Sequence, residues 1–192
     1  MLEELAVPYT IHKVDISKGE QFTPEFLAIA PNNKIPAIVD PEGPDGEPIS
    51  IFESGAILTY LAEKFGQFYG QSWTERVKID EWLFWQVGGF GPMLGQNNHF
   101  TVYAPEKVPY AIKRFQDESR RLYTVLDGQL RRQHARGQDY VAGNGYSIAD
   151  IAIFDWSQSA ERHLGAVEGL PDFLSWRALM QSRPAVQRAL AL

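Results

Sequence analysis

Near residue 66 the period of the apolar residues changes, and that change limits what the chain can fold into. Before it, apolar runs are short, alternate with polar residues and are broken by turn chemistry. After it, apolar residues recur every three or four positions over long stretches, and strand signals nearly vanish. Tyr9 to Val14 alternates with β-branched residues and reads as a strand; Ile35 to Asp40 and Ile49 to Phe52 read as two more. Between them, Thr23-Pro24-Glu25 opens a short helix, with Thr23 as N-cap and Pro24 at the first helical position, where its missing N–H costs nothing. Pro41 to Pro48 holds three prolines and two glycines and turns tightly. Apolar residues at 57, 58, 61, 62 and 65 mark a helix over Glu53 to Phe65. Past a linker near Gln67 to Ser72, helices are expected at Trp73 to Val87, Pro109 to Gln133, Ile148 to Leu164, Pro171 to Ser182 and after Pro184. The pattern predicts an α/β domain over residues 1–66 and an all-helical domain over 73–192.

Composition removes several function classes. The 192 residues contain no cysteine, so a disulfide framework, a Cys-ligated zinc and a protein-borne redox thiol are excluded, and any thiol chemistry needs a thiol from elsewhere. A formal charge of −6 disfavours general binding to nucleic acid or to an anionic membrane. No apolar run approaches the ~18 residues of a membrane span. The start Met1-Leu2-Glu3-Glu4 is acidic where a signal peptide is basic, which reads as a soluble cytoplasmic protein. The four histidines show no metal-ligand pairing, so no metal is expected. Gly89-Phe90-Gly91-Pro92-Met93-Leu94-Gly95 lacks dinucleotide spacing and follows a helical pattern, so it reads as a helix break with close packing. Arg120-Arg121 and Arg131-Arg132 read as a solvated helix face. Ser147-Ile148-Ala149-Asp150, after a Gly/Asn turn and before an apolar run, reads as a capping box with Asp in place of Glu.

Two features suggest a site. Ile35-Pro36 lies at a turn-to-strand junction, where a cis proline would leave the Ile35 N–H and C=O free to pair with an extended, peptide-like ligand. Glu53-Ser54 sits at a helix N-terminus, where N–H groups and a hydroxyl suit a carboxylate and Glu53 suits an ammonium. Together they match the two ends of a zwitterionic amino acid attached to a peptide. A plain strand turn and a simple N-cap account for the same residues.

Pro31-Asn32-Asn33-Lys34-Ile35-Pro36-Ala37, Phe52-Glu53-Ser54-Gly55-Ala56-Ile57 and the Ser147 to Asp150 box resemble glutathione transferases. Gly19-Glu20-Gln21-Phe22-Thr23-Pro24-Glu25-Phe26 and the stretch from Trp82 through Asn97 resemble the nu class, and the likeness runs over nearly the whole chain. The resemblance implies a thioredoxin-like domain followed by an all-helical domain, a homodimer, and glutathione as cosubstrate. It further implies reduction of small disulfides, with weak transferase and peroxidase activity on electrophiles. Carried over by residue, it places Gln21 at the glycine end of glutathione, Ile35 against the cysteinyl backbone, and Glu53 with Ser54 at the γ-glutamyl end. Arg114 matches the arginine that reaches the glutathione pair, although a surface helix charge would look the same. In that chemistry glutathione supplies the thiol, and hydrogen bonds lower its pKa.

The departure from the family falls on the thiolate donors, a threonine and an asparagine in a Thr-Pro-Asn segment that occurs nowhere in this chain. By resemblance the chain starts in the middle of the first helix, with the first strand absent, so Tyr9 to Val14 is expected to lose its parallel neighbour and the catalytic residues stay unknown. Two functions stand at this point: a disulfide reductase once the missing segment is supplied, or a non-catalytic dimer that binds glutathione or a protein.

Overall fold

Local chemistry sets where many of the helices begin, and long-range packing decides the rest. In the computed structural model, which describes residues 1–192, the chain divides into the units Met1–Gln67 and Phe68–Leu192. The first unit runs through α1 (Leu2–Leu5), 3-10 turns at Ile16–Lys18 and Glu20–Phe22, α2 (Pro24–Ile29), β1 (Ala37–Asp40), β2 (Ile49–Phe52) and α3 (Ser54–Phe65). Thr23 caps α2 as expected, its hydroxyl accepting from the Phe26 N–H at 3.3 Å with Pro24 in the first turn. Strands β1 and β2 pair antiparallel in the register Ala37↔Phe52 to Asp40↔Ile49. Helix α3 buries Ile57, Leu58, Leu61 and Ala62. It is pinned to the end of β1 through Asp40, which accepts from the Tyr60 hydroxyl at 2.7 Å and from Lys64.

One expected strand does not form. Tyr9 to Val14 belongs to no sheet, and the sheet is two-stranded. Residues of Val7 to Asp15 and of Ile35 to Glu42 line a common groove of about 1410 Å³. A strand exists only through its neighbour's N–H and C=O groups, and across an open groove β1 provides none. Alternation alone was therefore an insufficient signal.

The second unit holds α4 (Trp73–Trp85), α5 (Gly91–Asn98), α6 (Pro109–His134), α7 (Ile148–Ser157), α8 (Ala160–Leu164), α9 (Pro171–Ser182) and α10 (Pro184–Leu190). Its core is a cluster that includes Phe90, Tyr123, Leu126, Leu130, Phe173 and Trp176, all fully buried. The glycine-rich stretch does not break the helix. It widens it instead, through π turns at Gln86–Phe90 and His99–Tyr103 that flank α5. The expected close packing is real: a Cβ on Gly91 would stand 2.9 Å from Trp156 Nε1, and one on Gly95 would stand 3.3 Å from the same indole.

Two further expectations are corrected here. The helix expected over Ile148 to Leu164 is interrupted at residues 158–159. Just beyond, Arg120 gathers the carbonyls of Ala166, Leu164 and Glu168 at 3.0, 3.3 and 3.4 Å, and the Tyr123 hydroxyl meets His163 Nδ1 at 3.0 Å. These α6 side chains hold the segment 163–168, where Gly165 turns the chain with φ 72°, while no glycine or proline announces the interruption at 158–159 itself. Arg120 is thus a clamp instead of a solvated charge, whereas Arg121, Arg131 and Arg132 are exposed as expected, Arg131 bridging Asp127 (2.8 Å) and Asp172 (3.1 Å) at the surface. Burial pushes the His163 imidazole down to about 4, so it is neutral at physiological pH.

The capping box forms at the start of α7, where the Ser147 N–H donates to Asp150 Oδ2 at 3.0 Å. Asp150 does more than cap. Its Oδ1 accepts from the Val141 N–H and from Trp176 Nε1, both at 2.9 Å, so one carboxylate ties α7 to the preceding loop and to α9. Burial pushes its carboxyl up to about 6, which still leaves it ionised at neutral pH.

Candidate functional site

The antiparallel register determines which candidates meet. Ala37 pairs with Phe52, so the residues just before Ala37 and just after Phe52 share one end of the ladder. Ile35, Glu53 and Ser54 therefore come together there. The Ile35-Pro36 peptide bond is cis. Ile35 is 53% exposed, and no turn or cap hydrogen bond engages its N–H or C=O. An extended ligand strand finds a free backbone edge at this point.

Glu53 carries the chain from β2 into α3 with φ 69° and ψ 116°. A residue with a Cβ pays about 1–3 kcal/mol for such a conformation, and strain of this kind clusters at ligand clamps. Its side chain is exposed and makes no cap hydrogen bond. The first turn of α3 accordingly presents N–H groups that no capping side chain satisfies, with the half-buried Ser54 hydroxyl beside them. Positive partial charge and a hydroxyl donor suit a carboxylate, and the Glu53 carboxylate alongside suits an ammonium. The arrangement fits a γ-glutamyl group, which carries both charges on one carbon.

No side-chain hydrogen bond joins Gln21 to this cluster. It sits on the turn Glu20–Phe22 with its Oε1 buried and unpartnered. Arg114 lies in the second unit, on a face of α6 that borders a pocket of about 760 Å³ lined also by Met93, Tyr110 and Phe115. The other cations of that pocket are already paired. Lys113 meets Asp117 at 2.6 Å, and Arg121 holds Glu118 bidentately at 2.8 and 2.7 Å, which keeps the Glu118 carboxyl below its ordinary range. Arg114 is exposed and has no ion pair, so its guanidinium is available to an anion. The apolar lining was not singled out from the sequence. Its signal was the spacing of Tyr110, Arg114 and Arg121, which share a helix face, together with Phe115, whose ring stacks on Phe100 at 5.4 Å. No group of three or more His, Cys, Asp or Glu side chains is placed to hold a metal, and no helix is long and apolar enough to cross a membrane.

A strained junction feeding an uncapped helix, beside a cis proline at the end of a small sheet, followed by a helical unit, defines a glutathione transferase architecture. Comparison with known proteins agrees. Residues 1–64 match the glutathione S-transferase N-terminal domain and residues 96–184 the C-terminal domain. The disulfide-bond oxidoreductase YfcG of Escherichia coli is 51% identical over 190 residues, covering 98% of this chain and 86% of that protein. A glutathione transferase structure from Burkholderia graminis, with two glutathione molecules bound per subunit, superposes with a TM-score of 0.91 at 41% identity, covering 98% of this chain and 80% of that one. One from Pseudomonas putida, with a glutathione disulfide per subunit, also gives 0.91 at 41% identity, covering 100% and 84%. The chain belongs to the glutathione S-transferase family.

Proposed function

We propose that this protein is a nu-class-like glutathione transferase that works as a glutathione-dependent disulfide-bond oxidoreductase. The observation that carries the reading is the uncapped start of α3 at Glu53 and Ser54, beside the free backbone of Ile35. The relatives support it: YfcG and YghU of E. coli are disulfide-bond oxidoreductases, and solved relatives hold two glutathiones or a glutathione disulfide. Ile35 pairs with the cysteinyl backbone of glutathione, Glu53 and Ser54 hold its γ-glutamyl end, and Gln21 contacts its glycine end. Glutathione brings the thiol that the cysteine-free chain lacks. In the exchange a glutathione thiolate attacks one sulfur of the substrate disulfide, a mixed disulfide forms, and the other sulfur leaves as a thiolate. The residues named here bind and orient; the donors that would lower the thiol pKa are not among them. The cytoplasm, where glutathione is kept largely reduced, is the proposed setting.

Arg114 takes a carboxylate of the second glutathione, or of the second half of the disulfide form. Titration tests this: Arg114→Ala weakens the second glutathione, or glutathione disulfide, more than the first, while equal losses at both would remove Arg114 from that place. A homodimer fits the same reading. Trp73 (81% exposed), Val77 and Phe84 (69% exposed) lie along one face of α4, an apolar surface suited to a second copy of the chain. Sedimentation as a monomer at every concentration would contradict it.

A further inference from the structure

Asn144-Gly145 is the one Asn-Gly pair in the chain, and it lies in the loop between α6 and α7. Asn144 is exposed. Nothing lies within 4 Å of the place where a side chain on Gly145 would begin, and no loop hydrogen bond engages the Gly145 N–H. The nucleophile is thus unengaged within the chain, and the carbonyl it would reach belongs to the Asn144 side-chain amide, which also donates to Glu75.

The same loop carries a structural contact. The Glu75 side chain runs between two glycines: a Cβ on Gly70 would stand 2.8 Å from its Cγ, and one on Gly143 would stand 3.1 Å from its Oε1. Both glycines have positive φ, 79° and 67°, so neither site tolerates a side chain. Glu75 Oε2 accepts the Gln71 N–H at 2.8 Å and Oε1 accepts the Asn144 N–H at 3.0 Å. The carboxylate thereby ties the first turn of α4 to residue 144. These N–H donors, that of Gln71 first, hold the Glu75 carboxyl below its ordinary range, so it carries its charge at neutral pH.

We propose that Asn144 is a site of spontaneous deamidation and that the product undoes the Glu75 tie. The Gly145 backbone nitrogen attacks the side-chain carbonyl carbon of Asn144. A C–N bond closes a succinimide ring while the bond to the side-chain nitrogen breaks, and ammonia leaves with the proton from the Gly145 N–H. Water then opens the ring at either carbonyl, giving aspartate or isoaspartate. One water enters, one ammonia leaves, and no oxidant or reductant takes part. Aspartate sets a second carboxylate beside Glu75, whose contacts are built to receive N–H donors. Isoaspartate lengthens the backbone by a methylene and carries the residue 144 N–H out of reach. Either product loosens the start of α4.

Incubation of the full chain in mildly alkaline buffer, followed by peptide mapping that separates aspartate from isoaspartate, tests the site. Asn32, Asn33, Asn97 and Asn98 are each followed by a residue with a side chain and serve as internal controls. Conversion is expected at Asn144 and not at the controls. Gly145→Ala, which has room for its methyl, should block conversion without lowering the melting temperature. Asn144→Asp should melt roughly 2–4 °C below the parent. An Asn144 that stays intact in the folded chain, while a free peptide of residues 139–149 converts under the same conditions, would overturn the site. An Asn144→Asp chain that melts with the parent would overturn the link to Glu75.

Discussion

Asp150→Ala should cost the helical unit about 3–5 kcal/mol, the largest loss expected of any single substitution considered. Asp150 is fully buried and accepts four hydrogen bonds: from the N–H groups of Val141 and Ser147, from the Ser147 hydroxyl and from the Trp176 indole. Removing the carboxylate leaves all four donors buried. Each unsatisfied buried donor costs about 1–3 kcal/mol, and neighbouring penalties overlap, so the sum is smaller than four independent losses. Asp150→Asn keeps the volume yet turns one oxygen into an NH₂ group, which faces donors with a donor. It should recover only part of the loss. Denaturant unfolding followed by Trp fluorescence measures both, with Trp176 as a local reporter. An Asp150→Ala protein within about 1 kcal/mol of the parent would show that water replaces the carboxylate at little cost.

Ser54→Ala should weaken glutathione binding by about 1–3 kcal/mol, roughly 5- to 150-fold in Kd. The hydroxyl is the one side-chain donor at the uncapped start of α3, and a carboxylate deprived of it keeps only backbone N–H groups. Stability provides the control. No hydrogen bond within the chain depends on the Ser54 side chain, so the melting temperature should stay where it is. Affinity lost at unchanged stability assigns Ser54 to the ligand. Unchanged affinity removes it from the site, and affinity and stability lost together make it a structural residue instead.

What the sequence made legible was local. Thr23 with Pro24, Ser147 with Asp150 and Pro171 at the start of α9 specify helix starts through atoms only a few residues apart, and all three starts stand where expected. Whatever depended on a distant partner was illegible. Tyr9 to Val14 has the alternation of a strand without a paired neighbour. No glycine or proline announces the break after Ser157, and the segment beyond it is held from α6, by Arg120 and Tyr123, roughly forty residues away along the chain. The glycine run was recognised as unusual, but its outcome depended on Trp156 lying over Gly91 and Gly95. The site divides the same way. Ile35, Glu53 and Ser54 were readable as candidates because a proline at a turn-to-strand junction and a helix start are visible in sequence, and the pairing of Ala37 with Phe52 supplies their meeting. Gln21 and Arg114 rested on resemblance. The structure gives Arg114 an unpaired guanidinium in a pocket and leaves Gln21 on a turn of its own.

Turnover is the direct test of whether this chain uses glutathione to reduce disulfides. The purified protein, given reduced glutathione and a small model disulfide, should form glutathione disulfide faster than the uncatalysed exchange, and Ser54→Ala should slow that rate at subsaturating glutathione. Glutathione binding with no rate above the uncatalysed exchange would contradict that use and leave a glutathione-binding protein without turnover.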